Sequence, residues 1–273
     1  MGRDNHTNLT FWEHLDELRG CIIRVLAVSM LFGILAFLFK DEVFCFVFAP
    51  KETDFVTYRL LGRITDMLGF SDLWEQMLGV QESGADALTA VRLINTELTS
   101  QFLVHVKMAF CIGLLCASPY IIYVLFRFVS PGLYEKERIL VSRILVFGFI
   151  LFAVGFFFSY YVVFPFTYRF LGNYNVSPEV SNMISLDSYV DTFLALGLAL
   201  GLVFELPVLC FLLSRVGVLS SGWMIRYRRH AIVFVLVLAA ILTPTSDVFT
   251  LLLVSLPMYI LYELSIVVVR LFR

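Results

Sequence analysis

The residues best equipped for chemistry in this chain are acids in unusual places. Glu205 lies within the apolar stretch 189–213, and Pro207 follows close behind it. Glu263 lies within a second apolar stretch, 248–269, which also carries Pro257. A carboxylate at the centre of a membrane helix costs roughly 2.5–3.5 kcal/mol on insertion scales, so it normally faces a polar groove or a partner. Proline removes a backbone donor and bends the helix around it. Acid and kink together predict a polar recess inside a membrane protein. A further group, Glu13, Asp16 and Glu17, sits near the N-terminus, with Glu13 and Glu17 one helical turn apart on a shared face.

Other chemistries lack their residues. There is no H-E-x-x-H, no G-x-S-x-G and no nucleotide-binding glycine loop. Cys21, Cys111, Cys116 and Cys210 lie in or at the ends of apolar runs, and only Cys45 falls near a loop. That is neither a disulfide framework nor a metal spacing. His6, His14, His105 and His230 are scattered. The expectation is a protein that is not an enzyme and uses no metal or cofactor.

Composition sets the frame for these acids. The chain has 273 residues, 60% of them hydrophobic and only 15% charged, with a mean hydropathy of +0.88. A soluble domain carries about 25% charged residues. The chain is therefore expected to be an all-α polytopic membrane protein, a single domain over residues 1–273. Its net charge of −2 gives no reason to expect nucleic acid as a partner. The first apolar run follows about 20 polar residues and is not followed by a small-residue cleavage site, so it reads as a retained helix.

Six spans are expected, at about 22–39, 102–126, 144–166, 189–213, 231–242 and 248–269. Thr10 and Glu13 form an S/T-x-x-E start signal for a helix leading into the first span. Pro119 is expected to kink the second span. The fifth apolar run is only about 18 Å of helix, short of a core about 30 Å thick. Between the first two spans, residues 40–100 form an enlarged loop. Within it Leu60, Leu61, Ile64, Met67 and Leu68 recur at helical spacing, and so do Leu73, Trp74, Met77 and Leu78. These segments either lie on the membrane face or pack on each other. Lys and Arg concentrate in the N-terminal segment, the 127–143 and 215–230 connectors and the C-terminus, whereas the 167–188 connector holds only Arg169 and the 243–247 turn none. Both termini are therefore expected in the cytoplasm.

Several segments, taken in order, resemble one family. His14 to Arg19 reads HLDELR, Phe128 to Arg138 reads FVSPGLYEKER, and Val163 to Phe166 reads VFPF. Phe204 to Pro207 reads FELP, Leu242 to Asp247 reads LTPTSD, and Leu256 to Leu264 reads LPMYILYEL. This series resembles TatC, the receptor subunit of the twin-arginine protein translocase, over nearly the whole chain outside 51–95. Two departures stand out: the loop at 51–95 is longer than usual, and Gly20-Cys21 replaces basic residues that commonly follow the first motif.

The resemblance implies a fold of six helices in a concave, glove-like wall whose fifth and sixth spans are short. It implies a location in the bacterial cytoplasmic (inner) membrane. It also implies binding of twin-arginine signal peptides of folded cargo, with export driven by the proton-motive force. The implied partners are TatA-like single-span proteins, TatB-like ones where a complex has them, membrane lipid and further copies of the chain. Two adjacent guanidinium groups are met naturally by carboxylates, which accept bidentate, charge-assisted hydrogen bonds. The acids at the matching cytoplasmic positions are Glu17 and Glu137, beside Arg19 of the same first motif. Phe128 and Tyr134 are candidates to line that patch through apolar or cation–π contact. Glu205 and Glu263 are candidates for intramembrane polar contact with a partner helix, and Pro50 and Asp247 for shaping the outer loops. The alternative is an ion- or proton-coupled small-molecule transporter built on Glu205 and Glu263. No inverted repeat accompanies it, and proton uptake that needs Glu205 without any partner protein would favour it.

Overall fold

A computed structural model describes residues 11–52, 54–68, 93–129, 138–174, 177, 183–215, 217–243 and 247–271, with the side chains of 11, 13, 14, 68, 125–129 and 138–145 excepted. Its helices are α1 (Phe11–Leu38), α2 (Lys40–Phe48), α3 (Val56–Leu68), α4 (Ser100–Val129), α5 (Arg138–Phe158), α6 (Phe164–Asn173), α7 (Leu186–Val203), α8 (Leu206–Arg215), α9 (Ser221–Arg226), α10 (Arg228–Leu242) and α11 (Val248–Leu271). A 3₁₀ turn, Ala49–Lys51, follows α2, and a π-helical turn, Ser159–Val163, joins α5 to α6. Two short strands, β1 (Leu93–Ile94) and β2 (Ile184–Ser185), pair in parallel.

Among the described residues, five helical stretches are long and apolar enough to cross a membrane. α10 is the sixth span, and its 15 residues make about 22 Å, short as the sequence predicts. α11 differs from the expectation of a short last span. It has 24 residues with Pro257 inside it, which is about 36 Å and enough for the core.

Two expected single spans are each two helical pieces, and proline is the cause in both. α5 passes through the π turn into α6, so the third span runs on to Asn173 instead of ending near 166. Pro165 has no N–H to offer the Tyr161 carbonyl one turn back. The Thr57 hydroxyl from α3 donates to that carbonyl instead, at 2.5 Å. In the fourth span Pro207 leaves Val203 without its helical donor, and the helix breaks at Phe204–Glu205. The Glu205 amide bonds to Leu202 in a tighter turn at 3.1 Å, and regular bonding resumes with Leu209 N–H to Glu205 O at 2.9 Å.

The packing forms an open series. α1 lies on α4; α4 also meets α5 and α7; α5 packs on α7; α8 and α10 pack on α11. Small residues allow the closest approaches. A Cβ built on Gly113 of α4 would fall 2.5 Å from both Gly33 N and Ser29 O of α1. Gly155 of α5 is as tightly placed against Leu200 O of α7, at 2.7 Å. The main core lies toward the outer side, around Tyr58, Tyr160, Phe164, Tyr168, Tyr189 and Phe193.

The enlarged loop is more regular than the sequence indicates. It contains α2, which lacks apolar periodicity, and β1, which docks on the 167–188 connector through β2. α3 forms where Leu60 to Leu68 predict a helix. The repeat at Leu73 to Leu78 lies outside the described residues.

Candidate functional site

The cytoplasmic candidates begin on α1. The helix is present from Phe11, the first described residue, and runs without a break into the membrane, while Thr10 of the start signal lies outside the described residues. Glu17 is half-buried on it, and Asp16 and Arg19 are exposed. Among the described residues neither Glu17 nor Arg19 makes an ion pair. Arg24 turns back toward the cytoplasm, donating to the Gly20 carbonyl at 3.0 Å and approaching Cys21 Sγ at 3.5 Å. Its guanidinium thus covers the Gly20-Cys21 step. Phe128 belongs to the last turns of α4. Tyr134 and Glu137 lie outside the described residues, so the structure places one acid of the expected pair.

Glu205 sits in the break between α7 and α8, half-buried against α5. A Cβ built on Gly148 of α5 would come within 3.1 Å of its Oε2. Glycine there makes the space that the carboxylate occupies. Buried neighbours on the same side are Ile122, Leu151, Val208 and Leu212. Glu205 Oε1 is buried without a hydrogen-bond partner among the described residues. A buried acceptor with nothing to accept is costly, and such groups mark places where a partner or water completes the structure.

Glu263 is placed differently. Its Oε2 accepts from Arg228 Nη2 at 2.6 Å and its Oε1 from Tyr259 OH at 3.0 Å. Both oxygens are engaged inside the chain, between the start of α10 and the last third of α11. The two embedded acids are therefore held differently: Glu263 by two internal partners, and Glu205 Oε1 by none among the described residues.

On the outer side, Pro50 is buried in the 3₁₀ turn after α2. Helix ends leave carbonyls without donors, and here tyrosines supply them. Tyr160 OH donates to Phe46 O and Tyr189 OH to Val47 O, each at 2.8 Å. Tyr58 OH lies 3.1 Å from both Pro50 O and Pro165 O. The Arg169 guanidinium stacks over the Tyr58 ring at 4.5 Å. Burial pushes the Tyr58 phenol up from its usual range, with Arg169 pulling the other way. Asp247 caps α11: its Oδ1 accepts from Thr250 N–H at 2.6 Å, while Oδ2 is buried without a partner among the described residues.

Sequence reasoning missed three arrangements. The tyrosine fastening of α2 looks in the sequence like an ordinary interface belt. Lys107 on α4 pairs with Asp191 on α7 at 2.9 Å, with Asp187 at 3.8 Å, and Ser100 donates to Asp187. The three charges stand out in apolar runs, but their pairing needs the fold. The Ser29–Gly33 and Ala109–Gly113–Ala117 spacings were a readable signal for close helix packing. Among the described residues, no group of three or more His, Cys, Asp or Glu could hold a metal ion.

Residues 13–257 match the family model of the Sec-independent protein translocase protein (TatC). The chain is 42% identical to the Sec-independent protein translocase protein TatC of Koribacter versatilis over 175 residues, which is 64% of each chain and so under two thirds of that relative's length. It is 28% identical to the TatC of Blattabacterium sp. subsp. Periplaneta americana over 269 residues, covering 97% of this chain and 96% of the relative. It is also similar to a solved structure described as the crystal structure of the twin arginine translocase receptor TatC. The TM-score is 0.72 at 28% identity, covering 95% of this chain and 99% of that one. The six-span, glove-like arrangement expected from the sequence is the arrangement of this chain.

Proposed function

The chain belongs to the TatC family of Sec-independent protein translocase proteins, and from that premise we propose that it is the signal-peptide receptor of a twin-arginine translocase. It is a multi-pass protein of the bacterial cytoplasmic (inner) membrane. In this reading Glu17 and Glu137 converge at the cytoplasmic face and accept hydrogen bonds from the paired arginines of a signal peptide. Arg guanidinium and carboxylate match as planar, bidentate partners, which lysine cannot reproduce. Phe128 and Tyr134 flank the pair and stack on the guanidinium faces. Arg19 fixes the local charge balance on α1.

The observation that carries this reading is the family match over 13–257, which takes in both acids. Glu17, half-buried and without an ion pair among the described residues, supports it. Glu205 takes the role of partner contact: its unpartnered oxygen suits a polar group on a TatA-like single-span helix, or a TatB-like one where the complex has it. Glu263, held by Arg228 and Tyr259, is left to position α10 against α11. Pro50 and Asp247 shape the outer ends of the spans over an inserted signal peptide. Copies of the chain associate within the complex, and the proton-motive force drives export.

A photo-crosslinker placed beside the arginine pair of a signal peptide tests the location. The expected adducts fall on 15–19 and 130–138. Adducts confined to the outer loops, or to the Glu205 break alone, would overturn the assignment.

A further inference from the structure

α3 is fastened on one face and bare on the other. Its start is tied to the third span. Thr57 donates to the Tyr161 carbonyl at 2.5 Å, Tyr58 reaches the Pro165 carbonyl at 3.1 Å, and the Phe55 ring stacks on Tyr161 with centroids 5.7 Å apart. These contacts set the depth of α3 at the outer end of an apolar helix that spans 146–173.

The bare face carries Val56, Leu60, Ile64 and Met67, which are 53%, 56%, 42% and 89% exposed. Their spacing puts them on one stripe of the helix. Arg59 and Arg63 stand one turn apart along the edge of that stripe, both exposed. Among the described residues Arg63 makes no ion pair, and Arg59 pairs only with the exposed Asp54, at 3.1 Å.

What lies over this face follows from the span that holds it. Phe147, Ile150, Val154, Phe157 and Tyr161 form an exposed apolar row along the third span. On a membrane helix such a row faces lipid. The row ends in the stacked rings of Phe157 and Tyr161, 6.2 Å apart, and Tyr161 is the residue on which Phe55 and Thr57 rest. The stripe of α3 thus continues the lipid-facing surface at its outer end. An apolar stripe edged with arginines is the pattern of a helix lying in the membrane interface.

We propose that α3 is an interfacial anchor whose Val56, Leu60, Ile64 and Met67 enter the outer leaflet, with Arg59 and Arg63 on lipid phosphates. It gives part of the enlarged outer loop a task separate from signal-peptide recognition. It holds the tyrosine-fastened outer end of the third span at a fixed depth.

The test uses the full chain in phosphatidylethanolamine vesicles with and without phosphatidylglycerol. A genetically encoded fluorescent amino acid replaces Leu60, Ile64, Met67, Asp66 or Phe157, one at a time. Probes at Leu60 and Ile64 should be quenched at least about threefold more than the Asp66 probe by lipids brominated high on the acyl chain, and shielded from aqueous iodide. The Phe157 probe reports the deeper lipid-facing row, and the exposed Met67 site serves where a change at Leu60 disturbs α3. Phosphatidylglycerol should strengthen the quenching at Leu60, and Arg59→Gln with Arg63→Gln should remove that increment. Iodide access at Leu60 and Ile64 equal to Asp66 would overturn the proposal. So would shielding from both quenchers, which would mean that another protein segment covers the stripe. An unchanged response to phosphatidylglycerol in wild type would overturn the role of the arginines.

Discussion

The outer half of the third and fourth spans and the N-terminal arm of α1 on α4 are held in opposite ways. At the outer half, direction decides. Three tyrosine hydroxyls reach the carbonyls of Phe46, Val47 and Pro50, and the rings of Phe164, Tyr168, Tyr189 and Phe193 meet edge to face. In the arm, proximity decides. α1 and α4 cross where Gly33 and Gly113 bring the two backbones together, and Ser29 Oγ is buried there without a partner among the described residues. The rest of α1 turns exposed Ile22, Leu26, Met30 and Ile34 outward. Hydrogen bonds to carbonyls fix register and angle, whereas backbone approach fixes only separation. The region fastened by directed bonds shapes the outer loops, and the region set by backbone approach presents Glu17.

The largest expected effect attacks the arm. Gly113→Leu puts side-chain atoms where Gly33 N and Ser29 O already stand, and overpacking of this kind should cost about 3 kcal/mol. Thermal unfolding in detergent should fall accordingly, and binding of an arginine-pair peptide should fall with it because Glu17 rides on α1. Wild-type behaviour in both assays would mean that the arm does not depend on this crossing.

At the outer half, Tyr189→Phe leaves the Val47 carbonyl without its donor. The expected loss is about 2 kcal/mol, the cost of a buried unsatisfied acceptor. Amide exchange in α2 should quicken while peptide binding stays at its wild-type level. A matching loss of peptide binding would erase the distinction between the two regions.

The embedded acids extend the contrast on a smaller scale. Arg228→Ala breaks a half-exposed pair with Glu263 and should cost about 0.5–1 kcal/mol, less at high salt. Glu205→Gln should leave unfolding within about 0.5 kcal/mol of wild type, since its carboxylate has an oxygen with no internal bond to lose. Co-purification of a TatA-like partner should drop instead. A large stability loss in Glu205→Gln with partner binding intact would reverse the assignment of the two acids.

Apolar run lengths made the six spans legible, and so did the short α10. Pro207 marked the break in the fourth span because a missing donor acts locally. Pro165 was less readable. Its effect is absorbed by a π turn and by Thr57, which is distant in sequence and close only after folding. Leu60 to Leu68 declared α3 through periodicity, but α2 has no such pattern and is held by tyrosines from two other spans. Glu205 drew attention as an acid in an apolar run, and so did Glu263. Only the fold separates them, because Arg228 reaches Glu263 from the neighbouring helix and no described residue bonds to Glu205 Oε1.

The measurement that tests the receptor reading most directly is a binding titration of arginine-pair and lysine-pair signal peptides. It uses the detergent-solubilised chain, as wild type, Glu17→Ala, Glu137→Ala and the double variant. The account predicts a preference for arginine of about tenfold or more in wild type, weakened by either change and abolished by both. A preference that survives in a folded double variant would contradict it.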